Sequence, residues 1–426
     1  MRLADTVDTF AAAARRAPAT AATAALWREV GRLAADLEDR AGTTASPIPS
    51  PGRAAPVICG QQAYVDYRLG MLAKLDGVER CGPPALAALV EYDAFGSDRL
   101  HTRTDLPGVA PGGPERLTLI FHRGRRANGR KDLRFVPRPA EAALARVRAD
   151  LRGAITLTAR TVAGFDAAAA REELDLLSAD HAVARERGRS AGEFNLLWTV
   201  RVLRRLGFDV PLVALGELWS LPSMRAVVAR TLVPFLLDNA AFVETANEAI
   251  ARTPPSARGM SPRPPGHVPL TLTDAHGVRH GLRVQRRRED LVLLTDSDLS
   301  FRVNVGRGGE HELEAFLAEH GDRCTPNVFA PIFLFEAGFA GIVNGRGAMR
   351  YAPVIAAVLR RLLRREHPPN LLCAGALPRD DPFAAARAAI PAPPADVEPG
   401  LVARLLAAGP AAVRREVASV WRQDPR

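Results

Sequence analysis

Unbroken apolar runs alternate with stretches of helical period along most of this chain. The runs at 56–59, 85–90, 211–215 and 339–343, and the LLCAGA stretch from Leu371, carry almost no polar residue. Strands with apolar residues at every position are those buried on both faces, as in parallel sheets covered by helices. Helical patterns at 63–78 and 348–364 follow two of these strands. The succession predicts an α/β protein with a doubly wound parallel sheet, carrying inserted helical and β-rich segments.

Other segments fill out the organisation. Leu26, Val30, Leu33 and Leu37 stand at helical spacing inside an Ala-rich start, which predicts two helices across about 4–40. A stretch rich in Pro, Ser, Thr and Gly at 41–56 then reads as a linker. The expected division is an N-terminal helical unit with its linker at 1–55, a core at 56–375, and short Pro-broken helices at 376–426. Within the core, 138–206 is mostly helical, 223–251 reads as one long apolar helix, and 267–306 alternates as antiparallel strands do.

At 426 residues, with 47% hydrophobic and 24% charged residues, the composition is that of a globular protein. No apolar run approaches the roughly 20 residues of a membrane span, so no membrane association is expected. Asp5 and Asp8 stand where a secretion signal would be basic and then apolar. The cysteines Cys59, Cys81, Cys324 and Cys373 show no CxxC spacing, which argues against disulfides or structural zinc and predicts a cytoplasmic location. The net charge of +10 and the RGRRANGRK run at 123–131 would permit nucleic-acid binding. No aromatic residue interleaves with that run, so a small anionic molecule is the expected partner rather than nucleic acid.

Chemistry is expected at three strand ends, because sheets of this class bind ligands beyond the carboxyl ends of their strands. They are Gly60-Gln61-Gln62, Glu91-Tyr92-Asp93 and Asn344-Gly345-Arg346-Gly347. Glycines there admit a ligand close to the backbone, and the glutamines add amide donors and acceptors. Gly60-Gln61-Gln62 reads as a turn that leads straight into a helix. Of 57 Lys and Arg residues only Lys74 and Lys131 are lysines, so Lys74, on that helix, stands out as a compact cation for a phosphate or carboxylate. Glu91 and Asp93, two apart, suit a general base or an amine-gripping pair. His276 and His280 sit in a DAHGVRHG turn, expected at the surface, and no metal-binding pattern is present. Neither GxGxxG nor GxxxxGK[ST] occurs in these loops.

Two segments, PVICGQQAYVDYRLGMLAK at 56–74 and CTPNVFAPIFLFEAGFAGIVNGRGAMRYAPVI at 324–355, resemble the signature regions of the bacillithiol biosynthesis cysteine-adding enzyme family. The resemblance runs with gaps over about 57–363, in matching order and spacing. It implies a Rossmann-like core and a ligase-type reaction joining an amine, cysteine in that family, to an aminosugar conjugate in low-molecular-weight thiol metabolism. ATP or ADP is the nucleotide to consider. By position it implies ligand contacts from Gly60, Gln61, Gln62, Lys74, Asn327, Gly345, Gly347 and Tyr351. Lys74, Glu91 and Asp93 are the candidate catalytic residues, with Tyr92, Asn344 and Arg346 beside them as ligand contacts. Where the family has an E-D-H-D run this chain has Val90-Glu91-Tyr92-Asp93, and Ala348 replaces a glutamate. A family-like binding protein without turnover, and a basic nucleic-acid or partner-binding module, are the alternative readings.

Overall fold

The computed structural model describes residues 3–4, 6–44, 48, 54–63, 67, 69–82, 84–92, 101–110, 113–121, 131–161, 164–254, 259–287, 290–295, 299–304, 309–373 and 400–421. The chain opens with β1 (Leu3–Ala4), α1 (Val7–Arg15), α2 (Ala21–Ala41), β2 (Val57–Gln62), α3 (Leu69–Arg80) and β3 (Ala85–Val90). A hairpin of β4 (His101–Ala110) and β5 (Gly113–Ile120) and the helices α4 (Glu141–Thr161), α5 (Ala167–Arg187) and α6 (Ala191–Arg205) precede β6 (Leu212–Ala214). Next come α7 (Leu215–Ser220), α8 (Pro222–Leu237) and α9 (Asn239–Arg252), then strands β7 (His267–Thr273), β8 (Arg279–Arg287), β9 (Asp290–Thr295) and β10 (Ser300–Val303). After α10 (Gly309–His320), β11 (Cys324–Pro326) and α11 (Ala330–Glu336), the chain forms β12 (Gly341–Gly345), α12 (Arg346–Met349), α13 (Ala352–Val358) and β13 (Asn370–Cys373). Helix α14 (Leu401–Val420) is the last described element.

The fold is mixed α/β around a parallel sheet ordered β13-β12-β2-β3-β6, with the two-residue β1 on the outer side of β13. Successive strand residues serve opposite cores. Val57, Cys59, Ala87, Leu89, Leu212 and Val343 pack with α1, α3, α5, α6 and α14, while Ile58, Leu86, Ala88, Val213 and Ile342 pack with α7, α8, α11 and α13. This two-sided burial explains why the strand sequences show no polar alternation. Helix α2 contributes to both cores, Leu26, Trp27 and Val30 to one and Leu37 to the other, and lies against the edge strand β6.

A second sheet, antiparallel and ordered β10-β9-β8-β7-β11, covers the second core. Leu270, Leu272, Leu282, Leu291 and Leu293 face inward, and Arg283, Gln285 and Arg287 of β8 remain exposed. The expected β-rich segment is thus present, and β11, arriving after α10, completes it as a fifth strand. The helical segment at 138–206 is realised as α4 to α6.

Several local expectations are corrected. Gly60-Gln61-Gln62 is not a turn: it pairs in register with Ala88, Leu89 and Val90, and helix α3 starts only at Leu69. The strand lasts that long because β3 runs alongside and supplies ladder partners to its end. The long helix expected at 223–251 breaks at Asp238, which leaves the helical region (φ −116°, ψ 48°), and both halves bury apolar residues in the second core. The halves are bent by 89°, and among the described residues no single helix is long and apolar enough to cross a membrane. The strand at 117–121 belongs to a hairpin whose first strand, β4, has no clear apolar pattern.

Candidate functional site

Strand order reverses between β2 and β12. From β2 the chain moves to β3 and β6 on one side, and from β12 to β13 on the other. Pairing of β2 with β12 stops at Cys59 and Val343, whereas pairing of β2 with β3 continues to Gln62 and Val90. Beyond Cys59 no pairing joins the two strands, and the divergence between Gly60 and the Asn344-Gly345 end of β12 is the position at which sheets of this class form their ligand crevice. Ligands in open α/β sheets bind at such a divergence, where no loop is obliged to cross.

Lys74 crosses this crevice. From α3 its Nζ donates to the Gly60 carbonyl oxygen at 3.2 Å, and its Cδ lies 3.4 Å from where a Cβ on Gly345 would stand. The two glycine-bearing strand ends, far apart in the chain, thus meet at one side chain, Gly60 at the ammonium of Lys74 and Gly345 at its methylenes. Among the described residues a Cβ built on Gly60 meets nothing within 4 Å, so their packing leaves this backbone open to an approaching molecule.

Gln61 supplies the second feature. It is 1% exposed; its Nε2 donates to the Gln62 carbonyl at 3.3 Å, and its Oε1 is buried with no hydrogen-bond partner among the described residues. An unmatched buried acceptor costs about 1–3 kcal/mol, which makes this oxygen a natural place for a ligand donor. The Gln62 carbonyl also accepts from Tyr67 Oη at 2.9 Å, and that hydroxyl meets Thr199 Oγ1 at 3.1 Å. Cys59, one residue before the opening, is fully buried; burial raises its thiol pKa, partly offset by the Lys74 charge, and keeps it protonated and inert.

At the end of β3 the carboxylate turns inward. Glu91 is 3% exposed and accepts from the Gly216 backbone N–H at 3.1 and 3.2 Å. Burial pushes its carboxyl up to about 7, against the opposing pull of the Arg134 guanidinium. Arg134 is held by Asp132, which it grips through Nε and Nη2 at 3.0 and 2.6 Å, and it donates through Nη1 to the Asp322 carbonyl at 2.8 Å. Asp132 also accepts from Thr273 Oγ1 at 3.0 Å, which ties this network to the antiparallel sheet. Tyr92 is buried beneath the guanidiniums of Arg134 and Arg279, 5.3 and 5.4 Å from its ring centre, with Trp219 Nε1 at 3.4 Å from its hydroxyl.

The remaining expected site residues are dispersed. Asn344, at the crevice edge, donates through Nδ2 to Asn370 Oδ1 at 2.7 Å. Asn327 spends its amide within the β7 to α11 junction, donating to the Val268 carbonyl at 3.3 Å and accepting from Phe329 N–H at 3.2 Å. Tyr351 packs on Gly259, where a Cβ would come within 2.6 Å of the ring. Arg346 and Gly347 form the start of the single turn α12. Asp93 and the basic run at 122–130 lie outside the described residues, and Lys131 bridges to Val278 through its backbone. His280, expected at the surface, is instead drawn onto Asp274 at 2.8 Å. Among the described residues no group of three or more His, Cys, Asp or Glu is arranged to hold a metal ion.

Arg134, Asp132, Gly216 and Tyr67 carry much of this architecture and were not expected from the sequence. Tyr67 alone had a local signal, lying between the two quoted glutamines and Lys74. No protein-family model matches the chain, and no curated protein matches it.

Proposed function

We propose that the crevice between β2 and β12 is the ligand site of a Rossmann-like, ligase-type enzyme that joins an amine to a small acceptor. The observation that carries this reading is Lys74 bridging Gly60 and Gly345 where the strand order reverses. An ammonium there suits one carboxylate or phosphate, and the orphaned Gln61 Oε1 on the next residue of β2 suits an N–H donor. A molecule with both groups close together, such as the α-amino acid cysteine, meets both demands. Cysteine is also the amine to which the sequence resemblance points, with an aminosugar conjugate as acceptor.

The chain's own residues would bind and orient: Lys74 neutralises the carboxylate, Gln61 fixes the amine, and the open face of Gly60 lets the acceptor approach. No step is assigned to a nucleotide.

Glu91 favours a second reading. Its carboxylate serves Gly216 inside the protein, and Tyr92 lies under two guanidiniums, so these two residues offer the crevice little acid–base capacity. A binding protein of the same ligand class without turnover accommodates that arrangement. Thermal-shift and calorimetric titration with cysteine, ADP, ATP and glucosaminyl malate tests both. The enzyme reading expects cysteine to stabilise the wild type, Lys74→Met and Gln61→Ala to lose that effect, and mass spectrometry to find a condensed product. Binding without product selects the second reading, and no binding to wild type sinks both.

A further inference from the structure

Helix α14 is not one straight helix. Gly409 takes a left-handed conformation (φ 73°, ψ 169°) before Pro410, and Arg404 ion-pairs with Glu416, twelve residues on. In a straight helix those residues would stand about 18 Å apart, so the chain folds back at Gly409 into a helical hairpin. Its apolar face, with Leu401, Leu405, Val413 and Val417, is buried in the first core.

The polar contacts of this hairpin concentrate on the segment that carries Lys74. At its start, Leu401 N–H donates to the Tyr67 carbonyl at 2.7 Å, and Tyr67 in turn holds the Gln62 carbonyl. Further on, Arg414 ion-pairs with both Asp76 and Glu79, its guanidinium lying 4.0 Å from the Phe208 ring centre. Asp76 is 1% exposed, so its charge depends on Arg414 and Arg80 for compensation. At the end, Trp421 Nε1 donates to the Ala73 carbonyl at 2.9 Å, and the indole fills the space over Gly77, where a Cβ would fall 2.5 Å from Cζ2. Residues 73, 76, 77 and 79 of α3 are thus all held by the hairpin, on both sides of Lys74.

We propose that this C-terminal hairpin is a positioning element for Lys74, with Trp421 and Arg414 as the positioning residues that set α3 so that the ammonium reaches Gly60. The proposal rests on the crevice being the ligand site, but its direct readout does not need a ligand. Lys74 and Lys131 are the chain's two lysines, so amine acylation followed by peptide mass spectrometry reads Lys74 against an internal reference.

In Trp421→Ala and in Arg414→Met the Lys74 to Lys131 labelling ratio should rise roughly threefold or more, as the contact with Gly60 is released. Arg414→Lys, which keeps a cation beside Asp76, should restore most of the wild-type ratio. An unchanged ratio in both disruptive variants overturns the proposal. Should Trp421→Ala fail to fold, Arg414→Met, which leaves the indole in place, carries the same test. Cysteine titration of the wild type separates the two claims: a shifted ratio with no cysteine binding upholds the positioning role and fails the proposed ligand.

Discussion

Replacing Glu91 by glutamine removes a buried negative charge and leaves an amide of nearly the same shape against Gly216. In the folded protein the Glu91 carboxyl sits near 7 instead of its ordinary 4.5, because burial penalises its charged form more than Arg134 favours it. That gap corresponds to about 3 kcal/mol of preference for the proton in the folded state. Below pH 4.5 folded and unfolded chains both carry the proton, and Glu91 costs nothing. As pH rises from 4.5 to 7 the unfolded chain releases its proton first, so stability falls; above 7 the full penalty persists.

Glu91→Gln should therefore match wild type near pH 4 and exceed it at pH 8 by about 1–3 kcal/mol, the attraction of Arg134 being already contained in the raised carboxyl value. Urea unfolding of both proteins from pH 4 to 8 reads the difference, and titrations common to the two cancel. A variant less stable than wild type by a pH-independent margin would refute the reasoning, since it would mean that Glu91 stays ionised as a structural partner of Arg134.

Gly216→Ala should destabilise by about 2–3 kcal/mol in denaturant unfolding, because its Cβ would fall 2.1 Å from Glu91 Oε1; adding Glu91→Ala should recover part of the loss. Gly60→Ala should leave stability within about 0.5 kcal/mol of wild type, since a Cβ there meets nothing, whereas Gly60→Leu should keep the fold and weaken cysteine binding in calorimetric titration. Gly77→Ala, whose Cβ must displace Trp421, should cost about 1–3 kcal/mol and raise Lys74 acylation together with the loss of stability.

The parts of the fold legible in the sequence are those written in local patterns. Apolar runs without polar alternation announced β2, β3, β6, β12 and β13 as strands buried on both faces, and β8 announced its solvated side through Arg283, Gln285 and Arg287. At the site, Gly60, Gln61, Gly345 and Lys74 were recognisable as types of residue suited to a ligand. Their meeting was not, because it depends on β2 lying between β3 and β12, and no residue of β2 records which strands flank it.

Glu91 shows the limit most clearly. Its position at a strand end was evident, but whether the carboxylate would face a ligand or the interior was decided by Gly216, 125 residues later, and by Arg134 from a connecting segment. The strand character of Gly60-Gln61-Gln62 likewise came from β3 alongside, and the break at Asp238 from the packing of two helices on one core. The sequence by itself determined which segments bury one face, two faces or none, since hydrophobic periodicity is a property of neighbouring residues. Tertiary structure alone decided which strand ends share a crevice, which charges are sealed inside and which helix holds Lys74, because those outcomes depend on contacts between residues distant along the chain.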